Sequence, residues 1–430
     1  MTAKLPAPVA AVARIFDENP WPAGGVQDPG LPAIAVAVSG GGDSLALLLA
    51  AQDAFPGRIH AVTVDHGLRA ESADEAAYVA QLCARLGIAH QILRWQGPDP
   101  KGNLMDQARR ARLDLIGAWA RGAGIGHVLL GHTADDNAET FLMNLARKAG
   151  LDGLCGMRRD WHEGGIHWHR PFLALSRDEL RADLRRRSVD WIDDPSNDNP
   201  RFTRVKARRT MAALAPLGIT AEGITATLSY LDAAQRALMR TCADVARGMT
   251  GEAGALRMPH AAFCALDPEI QRRLIGAAIQ WMSGADFPPR GAQVQALLSR
   301  LAAAQEAQLG GVRFLHRQGQ LYILREARGV MGPMAFDTPE GQIWDHRWRI
   351  SGPARPGAEI RALGAAGYRQ CPDARRFGLR EALVVTPAIW QGDQVLAAPL
   401  AGLHGPADGS GDRPYQADVS QGLAEFILSH

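Results

Sequence analysis

Between residues 33 and 150, short apolar runs alternate with helix-length amphipathic segments, and this alternation restricts the fold more than any other feature of the chain. "IAVAV" (34–38), "IHAVTVDHG" (59–67), "HQILRW" (90–95) and "HVLLGH" (127–132) read as strands. A helical pattern follows each of them. The first starts from Ser44, and "SADEAAYVAQLCARLG" (72–87) carries a serine cap. "MDQARRARLDLIGAWARGAG" (105–124) ends in glycines, and "DDNAETFLMNLARKAG" (135–150) comes last. Serial βα units whose strands are apolar throughout predict an α/β fold, a parallel Rossmann-like sheet covered on both faces. Ligands of such sheets lie beyond the C-terminal ends of the strands, the ends that here carry "SGGGDS", "DHGLR" and "GHTADD".

Further along, the pattern changes twice. Residues 219 to 310 read as three helices with little strand signal, and residues 311 to 430 as short strands separated by Pro- and Gly-rich turns. The expected division is a catalytic α/β domain (1–215), a helical domain (216–312) and a small α+β C-terminal domain (313–430). A chain of 430 residues is long enough to give each its own core. No run approaches 18 apolar residues and the N-terminal stretch is a poor secretory signal, so a cytoplasmic location and no membrane partner are expected. Net charge is only +2, which rules out a global basic field as the argument for a nucleic-acid partner; local arginine clusters at 109–112, 185–187 and 201–209 matter more. The five cysteines (Cys83, Cys155, Cys242, Cys264 and Cys371) form no CxxC pair, which speaks against a zinc or iron–sulfur site.

The corner "SGGGDS" (39–44) asks what three glycines in series are for, since each costs backbone entropy. A Walker A loop fails for want of its lysine, and Gly40, Gly41 and Gly42 followed by Asp43 do not match GxGxxG. What remains is a strand–glycine–helix corner whose backbone N–H groups can ring an anion, with Ser39 and Ser44 adding hydroxyls. Asp43 beside a phosphate makes sense with a Mg²⁺ ion between them; a favourable charge at a helix N-terminus is the plainer alternative. In "HTADDNAET", Asp135, Asp136 and Glu139 are spaced to share a helix face. Such a cluster suits a metal ion or an ammonium group.

SGGxDS after a first strand resembles the pyrophosphate loop of the PP-loop ATP pyrophosphatases, which cleave ATP to AMP and pyrophosphate. Four more stretches follow in order: "VDHGLR" (64–69), "NLMDQARRAR" (103–112), "GHTADDNAETFLMNLARKAGLDGLCGM" (131–157) and "RPFLALSRDEL" (170–180). With "WIDDPSNDNPRFTRVKARR" (191–209), the succession is similar to the tRNA(Ile)-lysidine synthetase family. The resemblance implies an ATP-dependent carbon–nitrogen ligase. It would adenylate the wobble cytidine of an isoleucine tRNA with a CAU anticodon, then join L-lysine to C2, changing codon recognition from AUG to AUA. Two positions depart from the family pattern: Lys148-Ala149, where members often carry an Arg-Gly pair in this segment, and Val205, where Arg-Asn is usual.

Carried onto this sequence, the resemblance gives Ser39 to Ser44 the ATP phosphates, with Asp65 and His66 expected at the adenine. Asp43 and Asp136 are the expected catalytic and Mg²⁺-binding carboxylates; Asp135, Asp136, Glu139 and His132 are candidates for lysine or metal, with the division open. Arg109 and Arg112 are expected at a phosphate or the base oxygen, and Arg204 and Arg208 at tRNA phosphates, although an arginine pair on a helix is also an ordinary wet surface. The helical and C-terminal domains are expected to grip tRNA, with "RWRISGPARPGAEIRALG" (347–364) offering Trp348 for stacking. The sequence is compatible with a homodimer and leaves the oligomeric state open. Competing readings are a tRNA thiolation enzyme, which would need a sulfur relay, a non-catalytic tRNA-binding module, and an amidotransferase-type ligase such as an NAD or GMP synthetase.

Overall fold

The computed structural model describes residues 5–18, 33–67, 72–97, 104–193, 203–339, 341–405 and 414–429. The chain divides into two compact units, residues 1–235 and 236–430. In the first, strands β1 (Ile34–Ala37), β2 (Ile59–Asp65), β3 (Ala89–Arg94), β4 (His127–Leu129), β5 (Asp160–Glu163) and β6 (Ile166–His169) form one sheet in the order β3-β2-β1-β4-β6-β5. All pairings are parallel except that of β5 with β6. The α/β expectation and its first four strands stand. The hairpin of β5 and β6 is an addition, and it extends the sheet past β4 with an antiparallel edge.

Strand order reverses between β1 and β4, so their C-terminal ends flank the crevice where an open parallel sheet takes its ligand. The sequence sends the glycine corner and the acidic turn to those two ends. Around the sheet lie α1 (Ala7–Glu18), α2 (Gly42–Ala54), α3 (Ser72–Leu86), α4 (Leu104–Gly122), α5 (Ala134–Ala146), α6 (Leu151–Leu154), α7 (Arg177–Arg186) and α8 (Thr203–Leu214). Over its central two turns helix α2 has no polar face: Ser44 through Ala51 are all buried, and its leucines join β1, α1 and α7 in the main core. A helix that is apolar all round can sit only inside, and its N-terminus is thereby held rigidly at the crevice.

Helix α9 (Ala221–Arg247) runs from the first unit into the second. Five antiparallel strands make the larger sheet of the second unit: β7 (Thr250–Glu252), β8 (Ala255–Pro259), β9 (Ala307–Leu309), β10 (Val312–Arg317) and β11 (Gln320–Arg325), in the order β7-β8-β11-β10-β9. Helices α10 (His260–Cys264), α11 (Pro268–Ser283) and α12 (Gly291–Ala302) interrupt them; buried residues of α11 and α12 share a core with the sheet. The sheet runs across residue 312 and draws strands from both sides of it. Those strands are only three to five residues long on the N-terminal side, too short to leave an alternation that competes with the long helical patterns around them. Two smaller sheets follow, β12 (Met334–Ala335) with later strands over 358–397, and β13 (Gln342–Trp344) with β14 (Trp348–Ser351) and a strand over 416–419.

The stacking role expected of Trp348 fails, because it is 1% exposed in the core of this unit. Arg347 beside it is equally hidden, its guanidinium 4.9 Å from the Trp348 ring and 5.0 Å from that of Trp281. Residues 68–69, 103 and 194–202 of the quoted motifs lie outside the described residues. All five cysteines are free thiols.

Both family departures have a local consequence. Lys148 follows the C-cap of α5 in the left-handed region, with φ of 58°, and its N–H closes the helix on the Leu145 carbonyl. A left-handed residue after a helix is usually glycine, so the lysine carries strain of about 1 kcal/mol. Val205 is buried in α8, where an apolar side chain is at home. Lys148→Gly is expected to stabilise the protein by roughly 0.5 kcal/mol, since glycine's greater unfolded-state entropy offsets part of the relief. Urea unfolding measures it, and a lower midpoint would contradict the strain.

Candidate active site at the sheet switch point

Ser39 ends the run from β1, and α2 begins at Gly42. Gly40 takes φ of +88°, open to glycine at little cost. Gly41 is the N-cap of α2 and provides no side-chain cap, so the first N–H groups of this buried helix remain available to an anion. The two serines bind the corner itself: Ser44 Oγ donates to the Gly41 carbonyl at 2.8 Å and accepts from the Ser39 N–H at 3.1 Å. Space is as restrictive as conformation. A Cβ on Gly40 would lie 3.0 Å from Ile192 Cδ1, and one on Gly42 would lie 3.4 Å from Trp191 Cγ. The Ile192 N–H also donates to the Gly40 carbonyl at 3.0 Å. The segment after α7 thus backs the glycine corner, a closeness that its sequence distance conceals.

From the other side of the crevice comes the β4–α5 turn. A Cβ on Gly131 would lie 3.1 Å from the Asp43 carbonyl oxygen and 3.2 Å from Ser44 Cα, both backbone atoms that cannot rotate away. Only glycine lets this turn approach α2 so closely. Thr133 caps α5, its hydroxyl accepting from the Asp136 N–H at 3.3 Å, while Asp136 Oδ2 receives the Thr133 N–H at 2.9 Å and hydroxyl at 3.0 Å. This reciprocal cap fixes Asp136 in one orientation.

One residue joins the carboxylates. Arg177 opens α7 behind a Ser176–Glu179 capping box, and its backbone N–H donates to Asp135 Oδ2 at 2.7 Å. Its guanidinium reaches Asp43 Oδ2 at 3.3 Å, Asp136 Oδ1 at 3.2 Å and Glu139 Oε1 at 3.7 Å. Glu139 is 2% exposed and also receives Arg208 Nε at 3.0 Å. Burial pushes the Asp43 carboxyl up to about 6, against the pull of Arg177. Burial also opposes ionisation of Asp136, yet Arg177 and the Thr133 N–H together hold it below the ordinary carboxylate range. Asp43 Oδ1 and Glu139 Oε2 are buried without a hydrogen-bond partner. Orphaned carboxylate oxygens of this kind are costly unless a cation completes them.

A group of arginines lies within electrostatic reach of one another, and Arg112 among them also feels Asp136. Burial lowers Arg112 to about 10, and Arg109 and Arg204 lower it further by repulsion. Burial likewise lowers Arg170 to about 9, with Arg109, Arg112 and Arg158 adding to the effect. Arg112 Nε is buried without a hydrogen-bond partner. Like charges brought together at such cost suit an anion. His132 meets this group directly, its Nδ1 accepting from Arg170 Nε at 3.1 Å.

The expected site residues therefore converge unevenly. Ser39 to Ser44, Asp135, Asp136, Glu139, His132, Arg112, Arg204 and Arg208 gather around the crevice through the contacts and repulsions described. Asp65 turns back on its own loop, accepting from the Gly67 N–H at 2.9 Å and the Ser72 hydroxyl at 2.8 Å, bonds that hold its carboxyl below the usual range. His66 lies edge-on to Trp95, 5.6 Å between ring centroids, and burial followed by Arg112 lowers its pKa. Sequence reasoning assigned no role to Arg170, Arg177, Gly131 or Trp191. The two arginines lie within the quoted "RPFLALSRDEL", and the serine-capped start "SRDE" marked where a helix would present one of them.

A profile of the PP-loop domain family matches residues 23–214. Over 405 residues the chain is 41% identical to the tRNA(Ile)-lysidine synthase of Ruegeria pomeroyi, covering 92% of this chain and 94% of that one. The chain belongs to the tRNA(Ile)-lysidine synthase family. The Brucella canis enzyme of the same name is 33% identical over 388 residues, 86% of each chain. Among solved structures, the U34-tRNA thiolase NcsA from Methanococcus maripaludis aligns over 52% of this chain and 78% of its own, at 16% identity and a TM-score of 0.43. Membership of this family makes the protein an ATP-dependent ligase that acts in tRNA modification. Among the described residues no single helix is long and apolar enough to cross a membrane.

Removing the shared cation has a defined sign. Without Arg177, Asp43 and Asp136 repel each other at neutral pH with burial uncompensated, so the pKa of Asp43 rises further above its unfolded value and that of Asp136 climbs above its own. The folded state then binds more protons than the unfolded state, so stability recovers as pH falls. Arg177→Met is expected to cost about 3 kcal/mol at pH 7.5, with the deficit shrinking toward pH 5. Urea titrations across that range decide it, and a deficit independent of pH would show that the guanidinium does not serve these carboxylates.

Proposed function

We propose that this chain ligates L-lysine to C2 of the wobble cytidine in an isoleucine tRNA with a CAU anticodon, through an adenylated cytidine. The observation that carries the reading is one crevice that gathers groups of opposite charge. An uncapped, glycine-opened helix N-terminus and two orphaned carboxylate oxygens meet converging arginines there.

The amide-like carbon of cytidine is a poor electrophile, and transfer of AMP to its oxygen creates a leaving group. The N–H groups at the start of α2 receive the departing pyrophosphate, and Gly40 to Gly42 let it approach the backbone. Mg²⁺ in such sites is commonly held by one or two carboxylates together with substrate phosphates. Asp43 and Asp136 are the carboxylates that would hold it, and the ion would supply charge neutralisation at the phosphate oxygens. Asp135 and Glu139 extend the acidic surface toward the ammonium groups of lysine, while Arg109, Arg112, Arg204 and Arg208 meet tRNA phosphate or the base oxygen. Arg208 must then exchange or share its bond to Glu139. Asp65 and His66 stand as the adenine contacts, with Asp65 reaching a nucleotide only by leaving its loop bonds. The parts of the chain beyond residue 215 serve tRNA binding, the site of action is the cytoplasm, and a homodimer is compatible with the scheme. A thiolation enzyme is disfavoured because the sequence contains no CxxC pair.

Labelled lysine is expected to enter a transcript of this tRNA only when ATP is present; incorporation that demanded a sulfur donor, or none at all, would refute the proposal. Asp43→Asn is expected to reduce adenylation by on the order of 100-fold while leaving tRNA affinity within about twofold. Equal loss of both would assign Asp43 to folding.

A further inference from the structure

We propose that Arg170 is a positioning residue that locks His132 as a neutral imidazole with its single proton on Nε2, so that His132 serves the reaction as a hydrogen-bond donor and never as a proton acceptor. The assignment follows from what a guanidinium can do. Arginine has five N–H donors and no acceptor, and Arg170 Nε lies 3.1 Å from His132 Nδ1. That contact is a hydrogen bond only if Nδ1 offers its lone pair. A neutral ring then carries its proton on Nε2. Protonating the ring would set N–H against N–H.

Arg170 is held so that it cannot easily turn away. Its backbone N–H donates to the Arg159 carbonyl at 2.8 Å, and Nη1 donates to the Arg158 carbonyl at 2.6 Å. Its guanidinium lies 4.1 Å from the centre of the Trp161 ring, and the residue is 7% exposed. These anchors belong to the β5–β6 hairpin and its approach, the part of the sheet that sequence periodicity did not anticipate. Trp161 stacks in turn on Trp168 of β6, with rings 11° from parallel. The hairpin therefore acts on the crevice through one arginine.

The charges around His132 reinforce the lock. Arg170, Arg112 and Arg109 face it against the single carboxylate of Asp136. Burial first, and then these arginines, keep the ring's pKa well below its ordinary value. His132 also directly precedes Thr133, the cap of α5 that orients Asp136. A fixed N–H donor at that place can bond a phosphoryl or base oxygen in the crevice without removing a proton.

The functional half of this inference rests on the crevice being the adenylation and ligation site; the tautomer half stands apart from it. Full-length protein labelled with ¹⁵N in its histidine rings tests the latter, the His132 signals being identified by their loss in His132→Gln. An unprotonated Nδ1 and protonated Nε2 are expected from pH 8 to pH 6, with titration or tautomer exchange appearing in Arg170→Gln and in Arg170→Met. A charged ring at pH 7, or a proton on Nδ1 in the wild type, would overturn the proposal. For the role, glutamine places an amide N–H at the reach of Nε2. His132→Gln is expected to keep lysine incorporation within about tenfold of wild type with an unchanged pH profile, whereas His132→Leu loses on the order of 100-fold. Equal losses in the two variants, or a limb of the pH profile that vanishes in His132→Gln, would overturn it. ATP binding by the wild type, followed by calorimetry, isolates the site reading: its absence would fail that reading and leave the ring-nitrogen result to decide the tautomer.

Discussion

Three buried or half-buried carboxylates at the mouth of the sheet coexist because one guanidinium reaches all of them, with Arg208 adding a second cation at Glu139. Asp43 arrives on α2 and Asp136 and Glu139 on α5, so neither helix could present its acids to the crevice without meeting those of the other. Arg177 lies between them and brings its own helix start to Asp135. Its guanidinium is pulled down by burial and pushed up more strongly by Asp136, Asp43 and Glu139, so the net effect strengthens its charge. The cluster is still incompletely neutralised, as the unpartnered oxygens of Asp43 and Glu139 record. An acid site that is stable enough to fold yet short of cation is suited to take one from its substrates.

The glycines of the crevice follow from this convergence. Gly131 permits the α5 turn to touch the backbone of α2, and Gly40 and Gly42 leave room for Ile192 and Trp191. These contacts draw two separate chain segments, the β4–α5 turn and the stretch after α7, toward the same point. The result places anion-binding N–H groups, carboxylates and arginines around one space. Chemistry that must hold a polyanionic nucleotide, a tRNA and an amino acid together requires all three kinds of group at once.

Much of this was legible in one dimension, and the reason is periodicity. Apolar strands, amphipathic helices and the glycine corner are local patterns, so β1 to β4 and α2 to α5 lie within a few residues of where the sequence places them. The acidic turn was legible too, because residues three and four apart on a helix share a face. The β5–β6 hairpin escaped notice because its strands are four residues long and rich in histidine and tryptophan. Arg170 and Arg177 stood within a quoted motif, but an arginine at a strand end or a helix start looks like any other surface charge until its neighbours are known. Trp348 erred in the opposite direction: an aromatic among arginines suggested a stacking surface, and packing has buried it.

By itself, then, the sequence determined which groups exist and on which local element each is carried: a glycine corner before a helix, a capped acidic helix, and arginines on amphipathic helices. Tertiary structure alone decided which of them meet. That Arg177 serves carboxylates 134 residues away at Asp43 and 41 away at Asp136, and that Arg170 reaches back 38 residues to hold His132, depends on strand order in the sheet. Local propensity extends over a turn or two of chain, whereas charge pairing acts through space. Only the folded sheet converts one into the other.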